Sequence, residues 1–112
     1  MTPQEERVAR TESLFRDVNE RIAESAERFD SESAEFVCEC SDQECADRVE
    51  ATLDEYEHVR ADGTHFLVRP GHEDTRYERV VTERGRCHAV VEKFHSVVAQ
   101  IVTRLNPRAQ GA

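Results

Sequence analysis

The chain has no tryptophan, one methionine at position 1, and one lysine, Lys93. It contains no run of about 18 apolar residues, the length that reads as a transmembrane helix, and residues 1–10 are charged where a secretory signal would be apolar. Neither a membrane span nor a signal peptide is expected, and the cytoplasm is the default location. H-E-x-x-H, P-loop, G-x-G-x-x-G and G-x-S-x-G patterns are all missing, so none of the reactions they carry is signalled.

A basic footprint is missing too. The net charge is −9, and residues 1–62 hold 19 acids against 7 bases while residues 63–112 hold 5 against 8. Phosphate-backbone binding is therefore disfavoured, the weak cluster of Arg69, Arg76, Arg79, Arg84 and Arg86 being the sole candidate for it. Leu, Ile, Val and Phe make up 24 of the 112 residues, near the ~20% below which highly charged chains tend to disorder. One domain over residues 1–112 is expected, with a thin core that a metal cross-link would support.

What the chain does have is a cysteine cluster. Phe36-Val37-Cys38-Glu39-Cys40-Ser41-Asp42-Gln43-Glu44-Cys45 places three of the four cysteines within eight residues. In a reducing compartment such a cluster points to metal binding or redox chemistry before a disulfide framework. If Phe36–Cys40 is extended, Cys38 and Cys40 point their sulfurs to one side, and a turn over Ser41–Glu44 returns Cys45 to them. Residues 30–47 carry seven acids and no base, which opposes a free thiolate and favours a divalent cation. Structural zinc takes four ligands, commonly including three thiolates and an imidazole. His72, on the Pro70-Gly71 turn, is the first candidate for the fourth ligand, followed by His65 and then Cys87, which falls in a strand whose Ala89 and Val91 face reads as core. His58, His88 and His95 read as surface or packing residues.

Around this cluster the pattern is α+β. Val8, Phe15, Ile22 and Phe29 recur every seven residues, with Val18 and Ala26 on the same face, and predict a helix over 3–29. The stripe is interrupted at Thr11 and Ser25, so packing within the domain is favoured over dimerisation; the chain is expected to be a monomer, or a homodimer through this helix. Glu6–Arg10, Glu12–Arg16, Asp17–Arg21 and Glu24–Arg28 have the favourable acid-first i, i+4 order, each worth about 0.2–0.5 kcal/mol. A cysteine-tipped hairpin follows. Thr52-Leu53-Asp54-Glu55 has the form of a capping box for a short helix over 53–61 whose inner face holds Leu53, Tyr56 and Val59 or Arg60. Strands are predicted at 65–69, 78–82 and 87–94 with a turn at 83–86, and Val97, Val98, Ile101, Val102 and Leu105 predict a C-terminal helix before Pro107. The regions expected are a helical arm over 1–30, a metal-binding α+β core with a small antiparallel sheet over 35–94, and a helix over 95–106.

Residues 36–93 also carry a string of motifs: Phe36-Val37-Cys38-Glu39-Cys40 with Cys45, Glu55-Tyr56-Glu57-His58-Val59-Arg60, Phe66-Leu67-Val68-Arg69-Pro70-Gly71-His72-Glu73, Glu78-Arg79-Val80-Val81 and Val90-Val91-Glu92-Lys93. The string resembles a family of small uncharacterised bacterial proteins, with Thr82 standing where that pattern has glutamate. The resemblance implies that Cys38, Cys40, Cys45 and His72 belong to the shared pattern and that Cys87, His65, His88 and His95 do not. It implies no substrate.

The expected function is a small structural zinc-binding protein with a protein-interaction or regulatory role and an unidentified protein partner. A thiol-based redox sensor is the second expectation. A small metalloenzyme using Glu73 beside His72 is the third, disfavoured because four protein ligands leave no position for water. A non-catalytic role is preferred.

Overall fold

The computed structural model describes residues 3–110. A long helix α1 (Pro3–Arg28) leads to a hairpin, β1 (Ser33–Val37) and β2 (Arg48–Thr52), and then to helix α2 (Leu53–Arg60). Strands β3 (His65–Val68), β4 (Glu78–Arg84) and β5 (His88–Lys93), helix α3 (Ser96–Arg104) and a 3-10 turn at Pro107–Gln110 complete the chain. This is the α+β architecture expected. Among the described residues no helix is long and apolar enough to cross a membrane.

Local chemistry explains much of the order. The Thr52 hydroxyl accepts from the Glu55 N–H at 3.0 Å and the Glu55 carboxylate accepts from the Thr52 N–H at 2.8 Å, so the capping box starts α2 directly after β2. Tyr56, Val59 and Arg60 form the buried face of that helix. Tyr56 stacks on Phe36 with ring centroids 4.6 Å apart and planes 5° from parallel, tying α2 to the hairpin. Gly85, with φ +56°, turns β4 into β5.

β1 and β2 pair antiparallel from Ser33↔Thr52 to Val37↔Arg48, which leaves residues 38–47 as the loop at the hairpin tip. The second sheet is antiparallel in the order β3-β5-β4. Between Val80 and Thr82 the register of β4 slips, and half-exposed Val81 is the extra residue. Central β5 is buried at every position except Glu92. On β3, Phe66 and Val68 face a core shared with α1 and α3, while Leu67 faces the core of the hairpin and α2.

α1 departs from the heptad expectation. Phe29 is 75% exposed and Val18 39%, while Phe15, Ile22 and Ala26 are only partly buried. The face turned inward carries Val8, Ala9, Glu12, Arg16, Asn19 and Ala23. Glu12 and Arg16 therefore do not form the expected surface pair. Arg16 donates to the carbonyls of Gly63 and Val102 at 2.9 and 2.8 Å, and Glu12 lies 2.5 Å from the Lys93 ammonium. Glu6–Arg10, at 3.0 Å, does form as expected.

These side chains belong to a buried polar network. Lys93 is held between Glu12 and Glu78. Glu39 accepts from the Arg60 guanidinium at 2.7 Å, the Leu67 N–H at 2.8 Å and the Asn19 amide at 2.7 Å. Asn19 also closes a two-way bond with the Val37 backbone, at 2.9 and 2.8 Å. The Phe66 ring sits at the centre, with the cationic groups of Arg16, Lys93 and Arg60 at 4.8, 5.1 and 5.7 Å from its centroid. The network holds three cationic side chains, Arg16, Arg60 and Lys93, and three carboxyls, Glu12, Glu39 and Glu78, so the formal charges balance. Such balance is needed, because a buried charge without a partner is costly.

Burial pushes the Glu12 carboxyl up to about 7, against the opposing pull of Lys93. Below the ordinary carboxyl range the group is protonated in both folded and unfolded chains. As pH rises from about 4.5 towards 7 the unfolded chain ionises first, so stability falls across that window, by up to about 3 kcal/mol. Glu12→Gln is expected to flatten this slope. Urea unfolding of both proteins at pH 5, 6, 7 and 8 measures it, and parallel curves would contradict the assignment.

Candidate metal centre

The hairpin-tip loop meets the loop after β3 at a four-residue cluster. The Sγ atoms of Cys38, Cys40 and Cys45 and a ring nitrogen of His72 all lie within 4.8 Å of one another. His72 Nδ1 is 3.6 Å from Cys38 Sγ and 3.7 Å from Cys45 Sγ. With Zn–S near 2.3 Å and Zn–N near 2.0–2.1 Å, a tetrahedral centre separates sulfur from nitrogen by about 3.6 Å. The two observed spacings fall on that value.

Regular β-pairing ends at Val37, so Cys38 and Cys40 are not strand residues as expected. The alternation nonetheless persists. The Glu39 N–H donates to the Leu67 carbonyl at 2.8 Å, which lays this segment along the open edge of β3. Glu39 then points into the polar network, and the flanking cysteines turn the opposite way into the cluster. Arg69 N–H donates to Cys38 Sγ at 3.2 Å. The backbone N–H groups of Asp42 and Asp47, each two residues past a cysteine, bond Cys40 and Cys45. Each cysteine thus has a backbone N–H aimed at its sulfur, an arrangement that stabilises thiolate.

His72 is delivered by the turn after β3, where Gly71 adopts φ +91° and the His72 N–H donates to the Arg69 carbonyl at 3.0 Å. Its second ring nitrogen, Nε2, lies 3.3 Å from Asp47 Oδ2. A carboxylate on the far side of an imidazole fixes the tautomer that offers the other nitrogen to a metal. Sequence reasoning missed Asp47. Ser41 Oγ, donating to Asp74 at 3.3 Å, makes a further tie between the two loops.

The thiols are not equivalent. Cys38 is raised well above the ordinary thiol range by its hydrogen bond to Cys40 and by burial. Cys40, which accepts that bond, is lowered to about 5. Burial raises Cys45. Three sulfurs this close resist joint ionisation unless a cation neutralises them. Cys38 and Cys40 are buried, while Cys45 and His72 are partly open to solvent and offer an entry path.

The other candidates lie elsewhere. His65 faces Asp62 and Glu92 at 3.5 and 3.2 Å. Cys87 is exposed in the β4–β5 turn, not on the core face of a strand, because β5 begins only at His88. His88 is a buried packing residue whose Nδ1 is 2.8 Å from the Glu50 carbonyl, and His58 sits on the outside of α2, 3.2 Å from the Asp54 carbonyl. His95 packs edge-on to Tyr77.

No family model, curated protein or solved structure matches the chain. Three sulfurs with one imidazole nitrogen form a soft, tetrahedral-capable donor set. Asp47→Asn is expected to weaken metal affinity by about 10- to 100-fold, as loss of such an orienting carboxylate does. Competition with a chromogenic chelator measures this, and an unchanged affinity would remove Asp47 from the site.

Proposed function

We propose that the protein is a structural zinc protein in which Cys38, Cys40, Cys45 and His72 bind one zinc ion and join the hairpin tip to the Pro70-Gly71 turn. The observation that carries this reading is His72. One ring nitrogen stands at zinc-ligand spacing from two sulfurs, and the other faces a carboxylate. The ion would brace a core short of large apolar side chains, and the braced domain would serve a protein-interaction or regulatory role. Four protein donors complete a tetrahedron, so no position remains for a catalytic water.

Cobalt substitution tests the donor set. The full chain reconstituted with one equivalent of Co²⁺ should show the intense d–d bands of a tetrahedral site and a thiolate-to-cobalt charge-transfer band, both lost or shifted in Cys45→Ser. A weak octahedral spectrum would overturn the proposal.

A redox-sensing role is the second reading, favoured by the low Cys40 value beside two further sulfurs. In that reading peroxide oxidises two thiolates to a disulfide, is itself reduced to water, and the metal is released. An unchanged count of alkylatable thiols after mild peroxide treatment would argue against it.

A further inference from the structure

A second group of donors lies away from the cysteines, at the end of the three-stranded sheet. His65 on β3 and Glu92 on β5 are cross-strand partners in the antiparallel ladder, and Asp62 lies three residues before the start of β3. From this arrangement we infer a second divalent-cation site formed by Asp62, His65 and Glu92.

The spacing supports coordination. His65 Nε2 is 3.2 Å from Glu92 Oε2 and 3.5 Å from Asp62 Oδ2, and all three donor atoms lie within 4.8 Å of one another. Around a first-row cation with bonds of about 2.0–2.2 Å, neighbouring donors stand about 3.0 Å apart on an octahedral edge and about 3.4 Å apart on a tetrahedral one. The two histidine–carboxylate spacings fall close to such edges.

Each carboxylate also uses its other oxygen to hold itself in place. Asp62 Oδ1 accepts from the Thr64 N–H and hydroxyl at 2.9 and 2.7 Å, and Glu92 Oε1 accepts from Arg79 at 2.9 Å. The oxygens nearest His65 meet its Nε2 directly, Glu92 Oε2 as a hydrogen-bond partner, and a cation would replace those contacts. Two of the three side chains come from paired strands, which fixes their separation more firmly than a surface loop would. Outside bonds that orient ligating carboxylates are a usual feature of metal sites.

The donor set differs from that of the cysteine cluster. Two carboxylates and one imidazole form a hard-to-borderline set that accepts Mn²⁺, which thiolates select poorly. Three protein donors also leave coordination positions for water or a bound anion. His65 lines a groove of about 570 Å³ between α2 and the sheet, together with His58, His88 and Arg84. A cation here would sit at the edge of a cavity of small-molecule size.

Manganese titration of the full chain as purified, followed by the loss of the free Mn²⁺ paramagnetic resonance signal, tests the site. One Mn²⁺ per chain with Kd below about 100 μM is expected, weakened at least tenfold in His65→Ala and in Glu92→Gln and unchanged in Cys45→Ser. Asp62→Asn provides a third variant that leaves the strand pairing untouched. Thermal unfolding of each variant separates loss of binding from loss of fold. Failure to bind Mn²⁺ up to 1 mM would overturn the proposal and leave a simple histidine–carboxylate contact. So would weak binding that the three variants do not alter, which is what a diffuse acidic surface gives. Cys45→Ser reports on the zinc reading separately, so the two proposals can fail independently.

Discussion

Cys38→Ser is expected to lose the metal and to melt on the order of 15 °C below the parent protein. A ligand that binds only the folded state adds about 4 kcal/mol when its free concentration is a thousandfold above Kd, and in a domain of this size each kcal/mol shifts Tm by about 3–5 °C. Cys38 is the most informative of the four positions because it is buried, accepts the Arg69 N–H and lies at ligand spacing from His72. Thermal unfolding with and without a strong chelator separates metal loss from a packing defect. The chelator should lower the parent melting temperature by a similar amount and leave the variant unchanged. A parent protein indifferent to chelation would contradict the structural role.

Lys93→Met is expected to cost about 3–5 kcal/mol at pH 8, the range for removing one partner of a buried ion pair. Glu12 and Glu78 would then face each other in the core without a cation, both fully buried. The two carboxyls can escape this only by taking up protons, so the penalty should be smaller at pH 5 than at pH 8. Adding Glu12→Gln and Glu78→Gln to the variant should recover most of the loss, since neutral groups of similar shape remove the buried charge. Urea unfolding of the single and triple variants measures this. Equal stability of Lys93→Met and the parent would show that the ammonium is not buried as described.

The parts of the fold visible in the sequence depend on neighbours in the chain. The capping box at Thr52 and Glu55, the hairpin with its cysteine tip and the helical spacing of Val98, Ile101 and Val102 are such cases. His72 was approachable for the same reason, because Pro70-Gly71 announces a turn that can present it to the cysteine loop. The inner face of α1 was not. Phe15, Val18, Ile22 and Phe29 mark the face an apolar-core argument would bury, yet Glu12, Arg16 and Asn19 take that place. Their partners are remote: Arg16 bonds the carbonyl of residue 102, and Glu12 meets Lys93.

Charged letters of four motifs, Glu39, Arg60, Glu78 and Lys93, are all buried in the network. No periodicity distinguishes a buried charged residue from a solvated one, so these read as surface until the fold is known. Asp47 was hidden for a related reason, since its meeting with His72 requires the loop after β3 to fold against the hairpin tip. Cys87 was misplaced by a single-residue error in where the strand starts, the turn over residues 85–87 delaying β5 until His88.

X-ray absorption at the zinc edge of protein purified without an affinity tag tests the central claim most directly. One zinc per chain is predicted, ligated by three sulfurs at about 2.3 Å and one nitrogen at about 2.0–2.1 Å. A metal-free protein, or zinc surrounded only by oxygen and nitrogen, would contradict it.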